Sequence, residues 1–391
     1  MRVLHSIPSI DPSYGGPVFA ARGLSRGLMK EGISLAILTS SSGSKEIDKK
    51  NKSSFERGID FIWFNPFVRR FYWDPFLASK IKNKIRDYDL WHIHGVFNGL
   101  AHALCGVART YKIPYMLEPF GTLSPYCLRK SALLKKLDLI LGEKKNIEGA
   151  AAVRFTSEKE EKQARIHFHI GRSFVAPLGL DLLEFALLPP RGLFRKEFGI
   201  KEKEGMILFL GRLQPIKGLE VFLPAFLRWG ASQAKKWRFV IVGPDEAGYR
   251  KKLEALVSKM DARDSIVFAG ALYGEDRIRA YVDSDFLTLP SFHENFGLSA
   301  AEVMACGKPV IVSDEVGLSQ AVKDFGIGEV AELNLNSMIQ ALDRMILRES
   351  EWPAMGERAK EWVRKNYDQD VISKNILNEY RQIVEHHGRR K

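Results

Sequence analysis

The sequence predicts an α/β protein built of two doubly wound, Rossmann-like domains, and three observations predict it. Short apolar runs recur at the spacing of strands separated by helices. The series stops at a punctuated stretch and then starts again. The chain, at 391 residues, is longer than one ordinary core supports.

The first series is RVLHSIP, SLAILTS, DLWHIHG, PYMLEPFG and AAVRFTS; the second is GMILFLGRL, WRFVIVG, SIVFAG, DFLTLP, PVIVSD and GEVAEL. Runs apolar on both faces suit parallel strands covered by helices. Segments of helical period stand between them, among them FAARGLSRGLMKEG, LEVFLPAFLRWG and YRKKLEALVSKM. PLGLDLLEFALLPPRG divides the two series, which places the join near residues 180 to 190. The expected layout is a first domain over 1–183, a second over 184–370 and a C-terminal segment over 371–391. From Trp352 to about His387 the pattern is helical, and the basic tail GRRK follows. Doubly wound domains bind ligands beyond the carboxyl ends of their strands, so two of them facing each other would enclose a cleft.

Composition narrows the function classes. The formal net charge of +12 favours anionic partners such as nucleotides, acidic lipid headgroups or nucleic acid. Cys105, Cys127 and Cys306 are scattered without C-x-x-C spacing, so neither a disulfide framework nor a zinc site is expected and a reducing cytosol is the natural compartment. MRVLHSIPSI, broken by Pro8, reads as a first strand and not as a secretory leader. No apolar run reaches the roughly 18 residues of a membrane span. G-x-S-x-G, Walker and G-x-G-x-x-G motifs are absent. Asp283-Ser-Asp285 lies where a helix hands over to DFLTLP and reads as a turn, and His386 and His387 have no metal-ligand partners at useful spacing.

Chemistry-bearing residues cluster at expected strand ends. GRLQPIKG (211–218) follows the strand MILFL; its glycines let a ligand approach the backbone, and Arg212 and Lys217 offer a planar fork and a point charge to a diphosphate. A surface turn with solvated charges is the alternative. SFHENFGLSAAEVMACGKPVIVSD (291–314) follows DFLTLP, and there Phe296-Gly297-Leu298 opens a helix whose free amides suit an anion. Glu294 could accept sugar hydroxyls and Glu302 those of a ribose. Equally, Ser299-x-x-Glu302 fits a capping box and Glu294 an ordinary loop carboxylate. In the first half, Gly15-Gly16 of SIDPSYGGP could approach a phosphate or merely turn the chain. His92 and His94 end a strand on one face, with His92 read as structural and His94 as the cleft candidate.

With these residues assembled, the chain resembles the retaining glycosyltransferases of family 4, which have the GT-B fold. The resemblance spans essentially the whole chain and is strongest in GRLQPIKG and in the E-x7-E pair Glu294 to Glu302 followed by A-x-G-x-P-V. It implies that Arg212 and Lys217 neutralise the donor diphosphate and that Glu294 binds the sugar. Asn295, Phe296, Gly297 and Leu298 would line the donor, with backbone amides from Phe296 and Gly297, and Glu302 would bind ribose. Ala271 and Leu272 would meet the base, and Gly16 would approach the phosphates from the other domain. PLGLD (177–181) looks like the family's hinge approach, and the last helix would cross back onto the N-terminal domain. Relatives often read Pro-His-Gly where this chain has Pro119-Phe120-Gly121, which leaves His94 or Glu118 to approach the sugar.

The implied activity is hexosyl transfer, with glucose as one choice, from a nucleoside diphosphate sugar such as a UDP-sugar to a glycan or lipid-linked acceptor in surface polysaccharide synthesis. No metal or other cofactor is expected, and nucleic acid is not an expected partner. A nucleotide-sugar epimerase of the same fold and a non-catalytic membrane or nucleic-acid binder are the alternatives. PYCLRKSALLKKLDLILGEKKN (125–146) alternates leucines with Arg129, Lys130, Lys135 and Lys136, as would a basic amphipathic helix lying on an anionic membrane. NPFVRRFYWDPFLASKIKNK (65–84) adds aromatics and cations. A core-facing leucine stripe with solvated lysines has the same period. The expected location is therefore cytoplasmic, with peripheral attachment to the inner membrane face left open.

Overall fold

The structure is a computed structural model that describes residues 1–11, 14–53, 55, 57–129 and 132–388. Lys130 and the Arg389, Arg390 and Lys391 of the basic tail lie outside the described residues. The chain divides into two compact units, Met1–Leu180 together with the chain from Gln369 onward, and Asp181–Asp368.

Unit 1 holds a seven-stranded parallel sheet: β1 (Arg2–Ser6), β2 (Ser34–Ser40), β3 (Asp60–Phe64), β4 (Leu90–His94), β5 (Tyr115–Glu118), β6 (Ala152–Phe155) and β7 (Ser173–Val175), in the order β3-β2-β1-β4-β5-β6-β7. Unit 2 holds a six-stranded parallel sheet: β8 (Gly205–Leu210), β9 (Trp237–Val242), β10 (Ile266–Gly270), β11 (Phe286–Leu289), β12 (Val310–Ser313) and β13 (Gly328–Ala331), in the order β10-β9-β8-β11-β12-β13. Both are doubly wound, as expected, and every apolar run expected to be a strand is one. The order reverses between β1 and β4 in one unit and between β8 and β11 in the other. At such a reversal successive connections leave to opposite faces of the sheet, which opens a crevice at the carboxyl ends.

The runs form strands because their side chains are buried on both faces. Met206 to Phe209 are fully enclosed, as are Leu90 to Ile93. The two strands not expected from the sequence, β3 and β7, are the edges of the first sheet. An edge strand buries less and carries a weaker apolar signature, and β3 is only partly covered while β7 has three residues.

The helical pattern expected from Trp352 onward is two helices. Trp352–Tyr367 ends at Asp368, whose ψ of 125° is not helical, and Gln369–Gly388 follows as part of unit 1. The last helix packs Ile372, Ile376, Leu377, Tyr380 and Ile383 into a core with Val3, Leu24, Leu28, Leu35 and Leu90. It comes close to the helix Gly16–Lys30 because Gly27 has no side chain: a Cβ there would lie 2.0 Å from Ser373 Oγ. Among the described residues no helix is long and apolar enough to cross a membrane.

Candidate functional site

Four loops at the carboxyl rim of unit 2 are stitched together by their backbones. The loop after β8 donates from Leu213 N to Pro244 O of the loop after β9, at 2.9 Å, and accepts at Ile216 O from Phe292 N of the loop after β11, at 2.8 Å. The loop after β11 is in turn paired with the one after β12, Glu294 N donating to Glu315 O and Gly317 N to Glu294 O. Gly218 is required where two of these loops cross. Its φ is +68° and a Cβ would lie 1.9 Å from Pro290 O, so no side chain fits.

This stitching brings Lys217 to Glu294. Lys217 ends the 3-10 turn Pro215–Lys217, and its Nζ donates to Glu294 Oε2; the side chains are 15% and 20% exposed. Burial alone would raise the Glu294 carboxyl, but the Lys217 charge and hydrogen bond, with the Gly297 N–H, hold it below the usual carboxylate value. Gly297, at φ +84°, caps the helix Leu298–Ala305, and the backbone there packs against Val316 and Leu318. Leu298 is the first residue of that helix. The rim of the β8/β11 reversal therefore presents a cation, a carboxylate and the start of a helix within one loop cluster.

Other expected site residues stand elsewhere. Arg212 is half exposed and bonds Glu246 Oε2 of the β9 loop at 3.1 Å. Asn295 is partly buried beside Glu294, while the Phe296 ring is buried, edge-on to Tyr367 at 4.9 Å, so that only its backbone is free for a ligand. Ala271 is exposed and Leu272 partly buried in the link between β10 and the helix Gly274–Asp283. Gly16 opens the first helix of unit 1, where a Cβ would meet nothing within 4 Å.

Glu302 does not cap its helix, because Gly297 occupies that position and no side chain bonds the helix start. It is buried, with Oε1 accepting from Arg277 Nη1 at 2.8 Å and Oε2 from the Tyr281 hydroxyl at 2.6 Å. Arg277 also donates to Glu184 at 2.9 Å. Burial raises the Glu302 carboxyl above its ordinary value despite Arg277. The sequence reading missed Arg277 and Tyr281; their i, i+4 spacing on the helix Gly274–Asp283 was the available signal. Asp283 and Asp285 are structural: Asp283 accepts from Arg195 N at 2.9 Å and Asp285 from Met206 N at 2.8 Å.

In unit 1, His94 is buried with both ring nitrogens engaged, Nδ1 by Glu118 at 2.7 Å and Nε2 by His5 at 3.2 Å. Glu118 is fully enclosed and also takes Arg154 Nη1 at 2.8 Å. Neither side chain presents a free face, which corrects the expectation that one of them reaches a ligand. His5, Arg154 and Tyr380 complete this cluster and were not singled out from the sequence.

Comparison with known proteins adds independent findings. Residues 14–183 match the family model described as Glycosyltransferase Family 4, and residues 190–362 the one described as Glycosyl transferases group 1. An uncharacterized glycosyltransferase of Methanocaldococcus jannaschii is 26% identical over 391 residues, covering 96% of each chain. Sucrose-phosphate synthase from Thermosynechococcus elongatus has a TM-score of 0.79 at 20% identity, over 98% of this chain and 99% of its own. Anabaena HepE in complex with UDP and glucose also has a TM-score of 0.79, at 17% identity over 98% and 100%. At such identities the structural likeness speaks to the fold alone.

Proposed function

The chain belongs to the family 4 glycosyltransferases and has the GT-B fold, and from that premise we propose that it is a retaining hexosyltransferase whose donor is a nucleoside diphosphate sugar. The observation that carries this reading is the Lys217–Glu294 pair beside a helix start at the β8/β11 reversal. A diphosphate arriving there meets the Lys217 ammonium and the first amides of Leu298–Ala305, and the sugar meets the Glu294 carboxylate that Lys217 then releases. Arg212 reaches the diphosphate by leaving its exposed partner Glu246, a weak surface pair. Glu302 accepts the ribose hydroxyls on the lone pairs that Arg277 and Tyr281 leave free, with Ala271 and Leu272 against the base.

The catalytic contribution is electrostatic, because charge develops on the leaving diphosphate where fixed cations and amides already point. Retention follows when the acceptor hydroxyl attacks C1 from the face the diphosphate leaves; its proton passes to the departing phosphate oxygen, and the C1–O bond breaks as the new one forms. The cations named here carry the neutralising role, so the scheme asks no metal of the chain. UDP-glucose is the first donor to test, supported by the UDP and glucose held in the Anabaena neighbour.

A glycan or lipid-linked acceptor, as in surface polysaccharide synthesis, fits an exposed apolar and basic surface on unit 1. Leu133 and Ile140 are 84% and 82% exposed, and Phe67 is 79% exposed. This reading places the protein on the cytoplasmic face of an anionic membrane.

The deciding experiment is a thermal-shift titration with UDP, GDP, ADP and their glucose conjugates. A ligand that binds only the folded chain raises its melting temperature by mass action. UDP should stabilise the wild type, and Lys217→Ala should bind it at least tenfold more weakly. Glu294→Gln should keep UDP affinity but lose transfer by a hundredfold or more, the scale of about 3 kcal/mol of lost transition-state contact. Equal UDP binding by Lys217→Ala and wild type would remove the diphosphate assignment.

A further inference from the structure

A cavity of about 400 Å3 opens in unit 1 between the helix Lys45–Ser53 and the edge strand β3. Its volume is that of a small-ligand site. Ser41, which follows β2, and Asn65, which follows β3, both line it, so it lies at the carboxyl ends of these strands, where doubly wound domains take their ligands. The donor is assigned to unit 2, which leaves a site in unit 1 to the acceptor.

The two walls differ in chemistry. On the helix side Lys45, Lys49 and Lys52 share one face, at the i, i+4, i+7 spacing. Among the described residues none of the three forms an ion pair. Asp48 lies on the same face but is already committed: its Oδ2 accepts from Ser41 Oγ at 2.5 Å and its Oδ1 from Ser42 N at 2.8 Å. Arg69 adds a further cation nearby, its Nη1 donating to Ser42 O at 2.6 Å. The cavity therefore carries a surplus of positive charge. On the strand side Trp63 is partly buried and stacks on Phe61, with ring centroids 5.7 Å apart and planes at 21°. Lys52 Nζ lies 5.3 Å from the Phe61 centroid. An indole offers a flat apolar face and one N–H donor, which complement the C–H face and the hydroxyl oxygens of a sugar ring.

We propose that this cavity binds the acceptor and that the acceptor is an acidic oligosaccharide, its carboxylates on Lys45, Lys49 and Lys52 and a sugar ring against Trp63. The inference rests on the proposed transfer to a glycan and names the charge of that glycan. The spacing selects more than one acid. Lys45 and Lys52 are seven residues apart, about 10 Å along a helix. A single phosphate or carboxylate cannot meet both, whereas sugars bearing an acid on successive rings can. Lysine suits such a ligand because its ammonium is a point charge on a flexible stem. A bilayer is the poorer match, since Ile47 is the only apolar residue of that helix.

The test is isothermal titration of the full chain, without donor, with trigalacturonate, galacturonate and the neutral trisaccharide maltotriose at equal ionic strength. Trigalacturonate should bind at least about tenfold more tightly than the other two, and Lys45→Gln with Lys49→Gln should weaken it by about the same factor, as expected for two lost charged contacts. Trp63→Leu should weaken it as well. Both lysines are exposed, so the double variant should fold and be stabilised by UDP as the wild type is. Equal affinity of wild type and double variant for trigalacturonate would overturn the proposal, as would equal affinity of the wild type for trigalacturonate and maltotriose. A double variant that loses only its sedimentation with anionic vesicles would also overturn it, by assigning the lysines to a bilayer. A wild type stabilised by UDP that does not bind trigalacturonate loses the acidic acceptor and keeps the donor reading. One that binds trigalacturonate and no nucleotide loses the donor reading and keeps this site.

Discussion

Glu302 has both carboxylate oxygens committed, one to the Arg277 guanidinium and one to the Tyr281 hydroxyl, and it is buried. Its charge is therefore sustained by Arg277, and removing that partner leaves a buried anion without compensation. Arg277→Gln should destabilise the chain by about 3 kcal/mol at pH 8, the scale of a broken buried pair. The carboxyl is raised by burial even with Arg277 present, and without it more so. A group whose folded pKa is raised contributes stability below its unfolded value and loses it as pH rises through the folded one. The deficit should accordingly shrink as pH falls from 8 toward 5, the direction in which a raised Glu302 carboxyl takes up its proton. Urea unfolding of both proteins at the two pH values checks this, and a deficit that does not change with pH would show that Glu302 is not the group left exposed to the loss. Both glutamates were legible in the sequence because one short stretch, a loop running into the helix Leu298–Ala305, carries them. Their partners were not, because Arg277 lies on a different helix and reaches Glu302 only through the packing of Gly274–Asp283 against Leu298–Ala305.

At the scale of elements, the segment after β5 shows where a period stops being informative. An exposed amphipathic helix and a core-facing stripe repeat leucine at the same spacing, and the sequence left both open. The structure excludes the stripe: Leu133, Leu134, Leu137, Ile140 and Leu141 are all exposed, and the helix Ala132–Asp138 passes into a π turn, Leu139–Glu143, in which Gly142 has φ 138°. That turn shifts the phase, so leucines before and after it share the solvent side with the exposed Lys136, Lys144 and Lys145. Lys135 reaches back over the Phe97 ring at 5.3 Å, and Gly99 lies against Trp73, which places the exposed aromatics of 67–76 beside the same region. Apolar side chains rimmed by cations fit an anionic bilayer surface, where each buried leucine contributes about 1.5 kcal/mol and each lysine about 1 kcal/mol. The double variant Leu133→Ser, Ile140→Ser should bind anionic phospholipid vesicles roughly a hundredfold more weakly in sedimentation, the equivalent of about 3 kcal/mol. Equal binding of the wild type to neutral and anionic vesicles would remove the electrostatic part of the reading. The edge strands β3 and β7 escaped the sequence for the opposite reason, since partial burial left them too little apolar pattern to read.

For the molecule as a whole, the repeated architecture puts one strand reversal in each unit, and the two reversals carry opposite chemistry. Unit 2 lines its reversal with a partly exposed cation and carboxylate; unit 1 fills its own with enclosed histidines. The strand pattern made both reversals legible, yet only the exposed one announced its residues as a motif. Buried polar networks are assembled from separate strands, here His5 opposite His92 and His94 opposite Glu118, and no single stretch displays them. The difference has a consequence for acid stability. Burial, together with the neighbouring rings, lowers His5 well below its ordinary value and His92 to about 3. The unfolded chain binds protons at both as pH falls through about 6.5, while the folded chain does not. Depressed folded values of this kind give stability that is present above the unfolded pKa and is lost as pH falls. Two such groups cost unit 1 about 2 kcal/mol between pH 6.5 and 5.5. Hydrogen exchange, corrected for intrinsic rates, resolves the units separately: protection of the β1 and β4 amides should fall by that amount over this interval while that of β8 and β9 changes less. Unchanged protection in β1 and β4 would mean that the histidines accept protons without leaving the fold, and the acid sensitivity assigned to them would have to be abandoned.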